Sequence, residues 1–176
     1  MFLDRWLKPR PAKAAGAKLY AGAVEQARSA AFYRDFGVRD SMEGRFELFS
    51  LHVIFLIGRL KGQGEAAAET SQAVFDSYVK GLDDAFRQIG VSDTSVGKKM
   101  KKLAGVFYGR LKAYDEAIAT LPDEAAVNGF LARNAFEERG EGDVAALTAY
   151  VIKTRAALAE QPLDALLQGD VTWPTP

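Results

Sequence analysis

The chain has no cysteine and one histidine, His52, in 176 residues. Without cysteine there is no disulfide framework, no thiolate nucleophile and no cysteine zinc site. A lone histidine excludes a multi-histidine metal centre. Long hydrophobic runs are missing too. The most apolar stretch, Leu48–Leu60, is 13 residues long and contains His52 and Arg59, short of the roughly 20 residues that cross a bilayer. The first residues hold neither an apolar h-region nor a small-residue cleavage site, so they do not read as a secretory signal. Phosphate loop, dinucleotide fingerprint, nucleophile elbow and metal triad are all lacking. The acidic pairs Asp83-Asp84 and Glu137-Glu138 are sequence neighbours, which turns their side chains to different sides of a helix. No catalytic residue, cofactor site or metal site is expected.

Surplus charge is also missing, since 23 Lys and Arg balance 23 Asp and Glu. The balance hides a gradient. Residues 1–18 hold five basic groups and one acidic, residues 19–114 hold fourteen and eleven, and residues 115–176 hold four and eleven. The chain is basic at its front and acidic at its back. Its 48% hydrophobic and 26% charged content is ordinary for a globular domain, and the length suits one domain.

What is present is helical periodicity, with no sustained apolar–polar alternation. An Ala-rich helix is expected over Lys13–Ala31, with Leu19, Tyr20, Ala23, Val24 and Ala27 on one face. Asp40 and Glu43 read as a capping box for a helix over Met42–Lys61, which is apolar nearly all round and therefore the buried centre of a bundle. Further helices are expected over Glu65–Ile89, Ser95–Thr120, Pro122–Arg139 (opened by a first-turn proline) and from the Asp143 cap to Glu160. A short turn follows Pro162, and the tail Val171–Pro176 reads as irregular. The pattern Gly-Val-x-Asp-(Ser/Thr)-x-x-Gly-(Arg/Lys) occurs at Gly37–Arg45 and again at Gly90–Lys98, as two junctions that stop one helix and cap the next. The expected fold is an all-α, single-domain bundle, with residues 1–12 as an amphipathic N-terminal segment, 13–168 as the helical domain and 169–176 as a tail.

Four features can carry binding. Arg45, His52 and Arg59 recur every seven residues along the central helix. That stripe suits an acidic partner, a quinone-like headgroup or a haem iron, or else a set of structural pairs with His52 as a satisfied core group. Lys98, Lys99, Lys101 and Lys102 stand at the start of a helix, where positive charge opposes the helix dipole. They suit phosphates of RNA or lipid, or acidic side chains, but no aromatic stacking pattern accompanies them, so specific DNA or RNA reading is not expected. At the chain start, Phe2, Leu3, Trp6 and Leu7 with Arg5, Lys8 and Arg10 form a cationic amphipathic turn that can rest on an anionic membrane or fold back on the bundle. Gly105 and Gly109, four apart, permit close approach of another helix, either internally or in a docking groove.

Two stretches resemble the ubiquinol–cytochrome c chaperone family. One contains Phe32-Tyr33, Gly37-Val38, Asp40, Gly44-Arg45-Phe46-Glu47-Leu48 and Leu51-His52. The other runs from Gln72-Ala73-Val74-Phe75-Asp76 through Gly90-Val91-Ser92-Asp93 and Ser95-Val96-Gly97-Lys98 to Phe107-Tyr108-Gly109-Arg110 and Ala113-Tyr114. The resemblance covers about Leu19 to Ile118. Arg39 replaces an expected proline, and no family motif is recognised beyond Thr120. The resemblance implies a helical, non-enzymatic assembly factor for ubiquinol–cytochrome c reductase that helps the cytochrome b subunit mature. It implies a bacterial version at the cytoplasmic side of the inner membrane, near nascent or unassembled cytochrome b, the ribosome and anionic lipid. Candidate partner contacts are Lys98, Lys99, Lys101, Lys102, Arg45, His52, Arg110 and Trp6. A helical-bundle carrier of quinone, lipid or haem and a ribosome-associated binding protein are the alternatives.

Overall fold

A computed structural model describes residues 11–90, 92–136 and 142–176, without the side chains of residues 93 and 94. Trp6, the N-terminal amphipathic turn around it and the helix end expected near Arg139 lie outside these residues. In chain order the helices are α1 (Pro11–Ala27), α2 (Ala30–Arg34), α3 (Met42–Leu60), α4 (Glu65–Gln88), α5 (Asp93–Ile118), α6 (Ala125–Ala135), α7 (Val144–Glu160) and α8 (Leu163–Leu167). The all-α bundle expected from periodicity is what the described residues form, with no strand among them. None of these helices is long and apolar enough to cross a membrane.

The centre is α3, which touches α1, α4, α5, α6 and α7. Residues 51–56 are buried in an unbroken run, so no face of this stretch meets water. Each fully buried Leu or Ile contributes about 1.5–3 kcal/mol relative to exposure. The helix starts at Met42 as expected, but Asp40 gives way to Ser41 as its cap. Its side chain accepts from the Gly44 amide at 3.1 Å, while Asp40 pairs with Arg45.

Two boundaries differ from expectation for local reasons. The first helix breaks after Ala27, whose carbonyl accepts the Tyr33 hydroxyl at 2.9 Å, and a separate short α2 follows. Pro122 does not open α6. It lies in a turn where the Thr120 hydroxyl sits between the carbonyls of Ala117 and Asp123 at 2.8 and 2.9 Å, and Asp123 accepts the Ala125 amide. The tail is non-helical but fastened. Gln161 both donates to Thr172 O and accepts from Thr172 N, Gln26 donates to Pro174 O at 2.8 Å, and Lys153 to Thr175 O at 2.9 Å. The two repeated junctions share their stop: Gly37 and Gly90 have φ of 75° and 81°, a conformation that costs glycine nothing.

Candidate partner-binding surfaces

His52 sits at the middle of α3 with no exposed surface. The Leu48 carbonyl, 2.7 Å from Nδ1, can only accept, so Nδ1 carries the proton. Nε2 then accepts from the Tyr150 hydroxyl at 2.9 Å, and that hydroxyl accepts from Gln26 at 3.0 Å. The rings of Phe32, Phe55 and Trp173 close around the imidazole with centroids 5.2–5.5 Å away. Burial therefore lowers the His52 pKa to about 4, against a smaller opposing effect of the Leu48 hydrogen bond. This is a neutral core histidine with both nitrogens satisfied, and aromatic rings fill the space that a quinone or haem needs beside it.

The seven-residue stripe does not form one site. Arg59 donates to the Leu158 and Gln161 carbonyls at 2.7 and 2.8 Å, tying α3 to the end of α7. Arg45 stays exposed and pairs with Asp40 at 2.6 Å. Arg110 makes a two-pronged pair with Glu47, at 3.0 and 2.9 Å, that holds α5 against α3. The hydrogen bonds it donates to Glu47 raise the Arg110 pKa above its usual value. Arg110 also borders a cleft of about 240 Å³ with Arg39, Glu43, Gly44 and Arg133.

The lysines behave differently. Lys98, Lys99, Lys101 and Lys102 are all exposed on α5. Among the described residues none has an ion-pair partner, and Lys99 lies 5.5 Å from the Phe86 ring centroid. On the same helix Gly105 and Gly109 have nothing within 4 Å of where a Cβ would be. The reading of these glycines as internal packing is thereby corrected, because α5 turns this face to solvent.

Sequence reasoning missed one surface. α3, α5 and α7 enclose an open groove of about 610 Å³, with Phe55, Tyr114, Ile118, Ile152 and Ala156 on its lining and Arg155 and Gln63 among its polar groups. Its opening at Gly58 is unobstructed. The available signals were small residues, Gly58 in an otherwise bulky rod and Ala156 and Ala159 on α7.

Trp173 was also missed. It is half-buried against His52 and anchors the tail. Trp173→Ala is expected to lower stability by about 1–2 kcal/mol, below the 3–5 kcal/mol of a fully buried aromatic. Urea unfolding checks it, and limited proteolysis should then release residues 171–176 first.

The family profile described as Ubiquinol-cytochrome C chaperone matches residues 34–173. The chain belongs to the ubiquinol–cytochrome c chaperone family. The match runs well past Thr120, so α6, α7 and the fastened tail are part of the family region although they carry no motif recognisable by eye. A crystal structure of the Cbp3 homologue from Brucella abortus is 34% identical, with a TM-score of 0.86 over 99% of this chain and 97% of that one. Ubiquinol-cytochrome-c reductase complex assembly factor 1 of Xenopus laevis is 24% identical over 92% of this chain and 81% of its own length. The Mus musculus protein of that name is 26% identical over 92% of this chain, which spans 55% of the mouse protein. Within the chaperone family region lie all four lysines, Arg45, His52, Arg110, the groove and Trp173, whereas Trp6 lies before it.

Proposed function

We propose that this chain acts in assembly of the ubiquinol–cytochrome c reductase by binding the cytochrome b subunit before it is built in, at the cytoplasmic side of a bacterial inner membrane. The observation that carries this reading is the family match across the whole α3–α7 body, which includes the open groove. The physical logic is holding rather than catalysis. A subunit destined for the membrane exposes apolar helices until it is inserted, and the apolar part of the groove lining, set among Arg59, Lys61, Asp115 and Arg155, would remove some of that surface from water at about 25 cal/mol per Å². A groove open to solvent along one side permits release without unfolding the holder. The central polar groups serve the fold: His52, Ser50 and Thr148 are each hydrogen-bonded within the core.

Deleting the gene in its own host is expected to abolish assembled reductase and deplete cytochrome b, measured by the reduced-minus-oxidised haem spectrum of membranes. Complementation with wild type should restore both. Ala156→Trp, an exposed position on the groove, should fold normally yet fail to recover cytochrome b in a tagged pull-down. Normal cytochrome b in the deletion strain would sink the proposal.

A further inference from the structure

We infer that the tip of the α4–α5 hairpin is a docking surface for an anionic lipid bilayer. The inference stands apart from the client reading above, because it concerns a different face and a different chemistry.

The tip is poorly anchored in the core. The last buried residue of α4 is Tyr78, ten residues before its end, and at the start of α5 Val96 alone among the described side chains is buried before Phe107. Between the helices Ile89 is 58% exposed, next to the positive-φ turn at Gly90. Phe86 and Met100 are half-buried beside it. Ile89 thus presents an apolar side chain at the turn that is free to enter another apolar phase.

Charge selects which phase. The two acids at the end of α4 are already engaged, Asp83 by Arg87 at 2.7 Å and Asp84 by Lys80 at 2.6 Å. Among the described residues the four lysines across the turn have no ion-pair partner. They stand in the second and third turns of α5, past the first turn where the helix dipole acts. Flexible ammonium groups along the start of α5, one of them over the Phe86 ring, and an exposed isoleucine at the turn match the layered chemistry of a bilayer, phosphate headgroups outside and acyl chain beneath. RNA fits less well. Its non-specific binders interleave cations with stacking rings, and the residue at the turn is aliphatic.

The test uses the purified full chain and sedimentation with two vesicle types, phosphatidylcholine alone and phosphatidylcholine with 30% phosphatidylglycerol. Binding is expected only to the second, weakening as salt rises from about 50 to 300 mM. Lys98→Gln, Lys99→Gln, Lys101→Gln and Lys102→Gln combined should lower partitioning about 100-fold or more. All four are exposed, so circular dichroism should be unchanged. Ile89→Trp should show emission shifting to the blue on adding the anionic vesicles, relative to wild type under the same conditions. Wild-type partitioning by the fourfold variant would overturn the inference, as would binding to neither vesicle. Tighter binding to poly(U) RNA than to the anionic vesicles, with Ile89→Asp as active as wild type, would assign the lysines to RNA and also overturn it. None of these outcomes bears on reductase assembly.

Discussion

Lowering the pH from 7 to 4 is expected to remove about 3 kcal/mol of folding stability through His52 alone. In the unfolded chain its imidazole titrates near 6.5, whereas in the fold burial holds it to about 4. Between those values the unfolded state takes up a proton that the native state refuses. Stability therefore stands in full above about pH 6.5 and falls by roughly 1.4 kcal/mol per pH unit toward pH 4. Burial explains most of why the native state refuses. A proton on Nε2 would also face the Tyr150 hydroxyl oxygen, which already accepts from Gln26 and would have to turn its own hydrogen away from the imidazole. Against a total of 5–15 kcal/mol for a typical domain, this is a large loss. Urea unfolding at intervals from pH 7 to 4 measures it, with His52→Gln as the reference. The variant should be less stable at pH 7 by about 1–3 kcal/mol but lack the slope, so that the two curves converge in acid. The exposed carboxylates Asp35 and Asp40, held below their usual range by hydrogen bonds from Arg34 and Arg45, titrate alike in both proteins and cancel in the difference. Parallel curves would show that His52 is not what acid attacks.

The same residue shows how far the sequence could be read. The run Leu48 to Leu60 announces a helix buried all round, and α3 is that helix. A lone histidine within it was correctly open to two readings, because spacing assigns a face to a residue but says nothing of what covers that face. Arg45, His52 and Arg59 share a stripe, yet α3 passes from the surface into the core and out again. One stripe thus yields a surface ion pair, a ring-enclosed imidazole and a guanidinium that clamps the end of α7. The partners that decide these roles, Tyr150, Leu158 and Gln161, lie about 100 residues away in sequence. Periodicity within one helix carries no record of them.

The surfaces divide along the same line. The lysines of α5 are legible because exposure of a charged cluster is a local property. The groove is not, because each of its walls comes from a different helix and none looks unusual alone. The tail reads as irregular, and irregular it is. What holds it lies outside it, in hydrogen bonds from Gln161 and Lys153 on or just after α7 and from Gln26, 148 residues before Pro174. Glycines carry more local information than the helices around them. Gly37 and Gly90 mark stops, where the positive φ needed is a property of the turn itself. Gly105 and Gly109 offer a packing face that no described helix uses.

Gly16→Val is expected to cost about 3 kcal/mol or more, and for a reason invisible in the Ala-rich pattern of α1. On propensity alone the change is slightly favourable, since valine is a better helix former than glycine. The structure reverses the sign. A Cβ at Gly16 would stand 2.5 Å from Ala73 Cβ and 2.7 Å from the Val74 amide nitrogen. Those are atoms of α4 that cannot swing aside, because one is backbone and the other is fixed to it. The two helices would have to separate along a crossing that buries Leu19 and Ala23 on one side and Val74 and Tyr78 on the other. Overpacking of a well-filled core costs about 1–3 kcal/mol and occasionally more; here the obstacle is a whole helix. The thermal midpoint should drop by about 6–12 °C at this chain length. Gly105→Val supplies the control, a mid-helix glycine on a face with nothing within 4 Å, and should leave the midpoint within about 2 °C of wild type. If both variants unfold together, the α1–α4 crossing has room that the geometry denies it. If only Gly16→Val falls, the absence of one side chain is what lets the first helix close over the core.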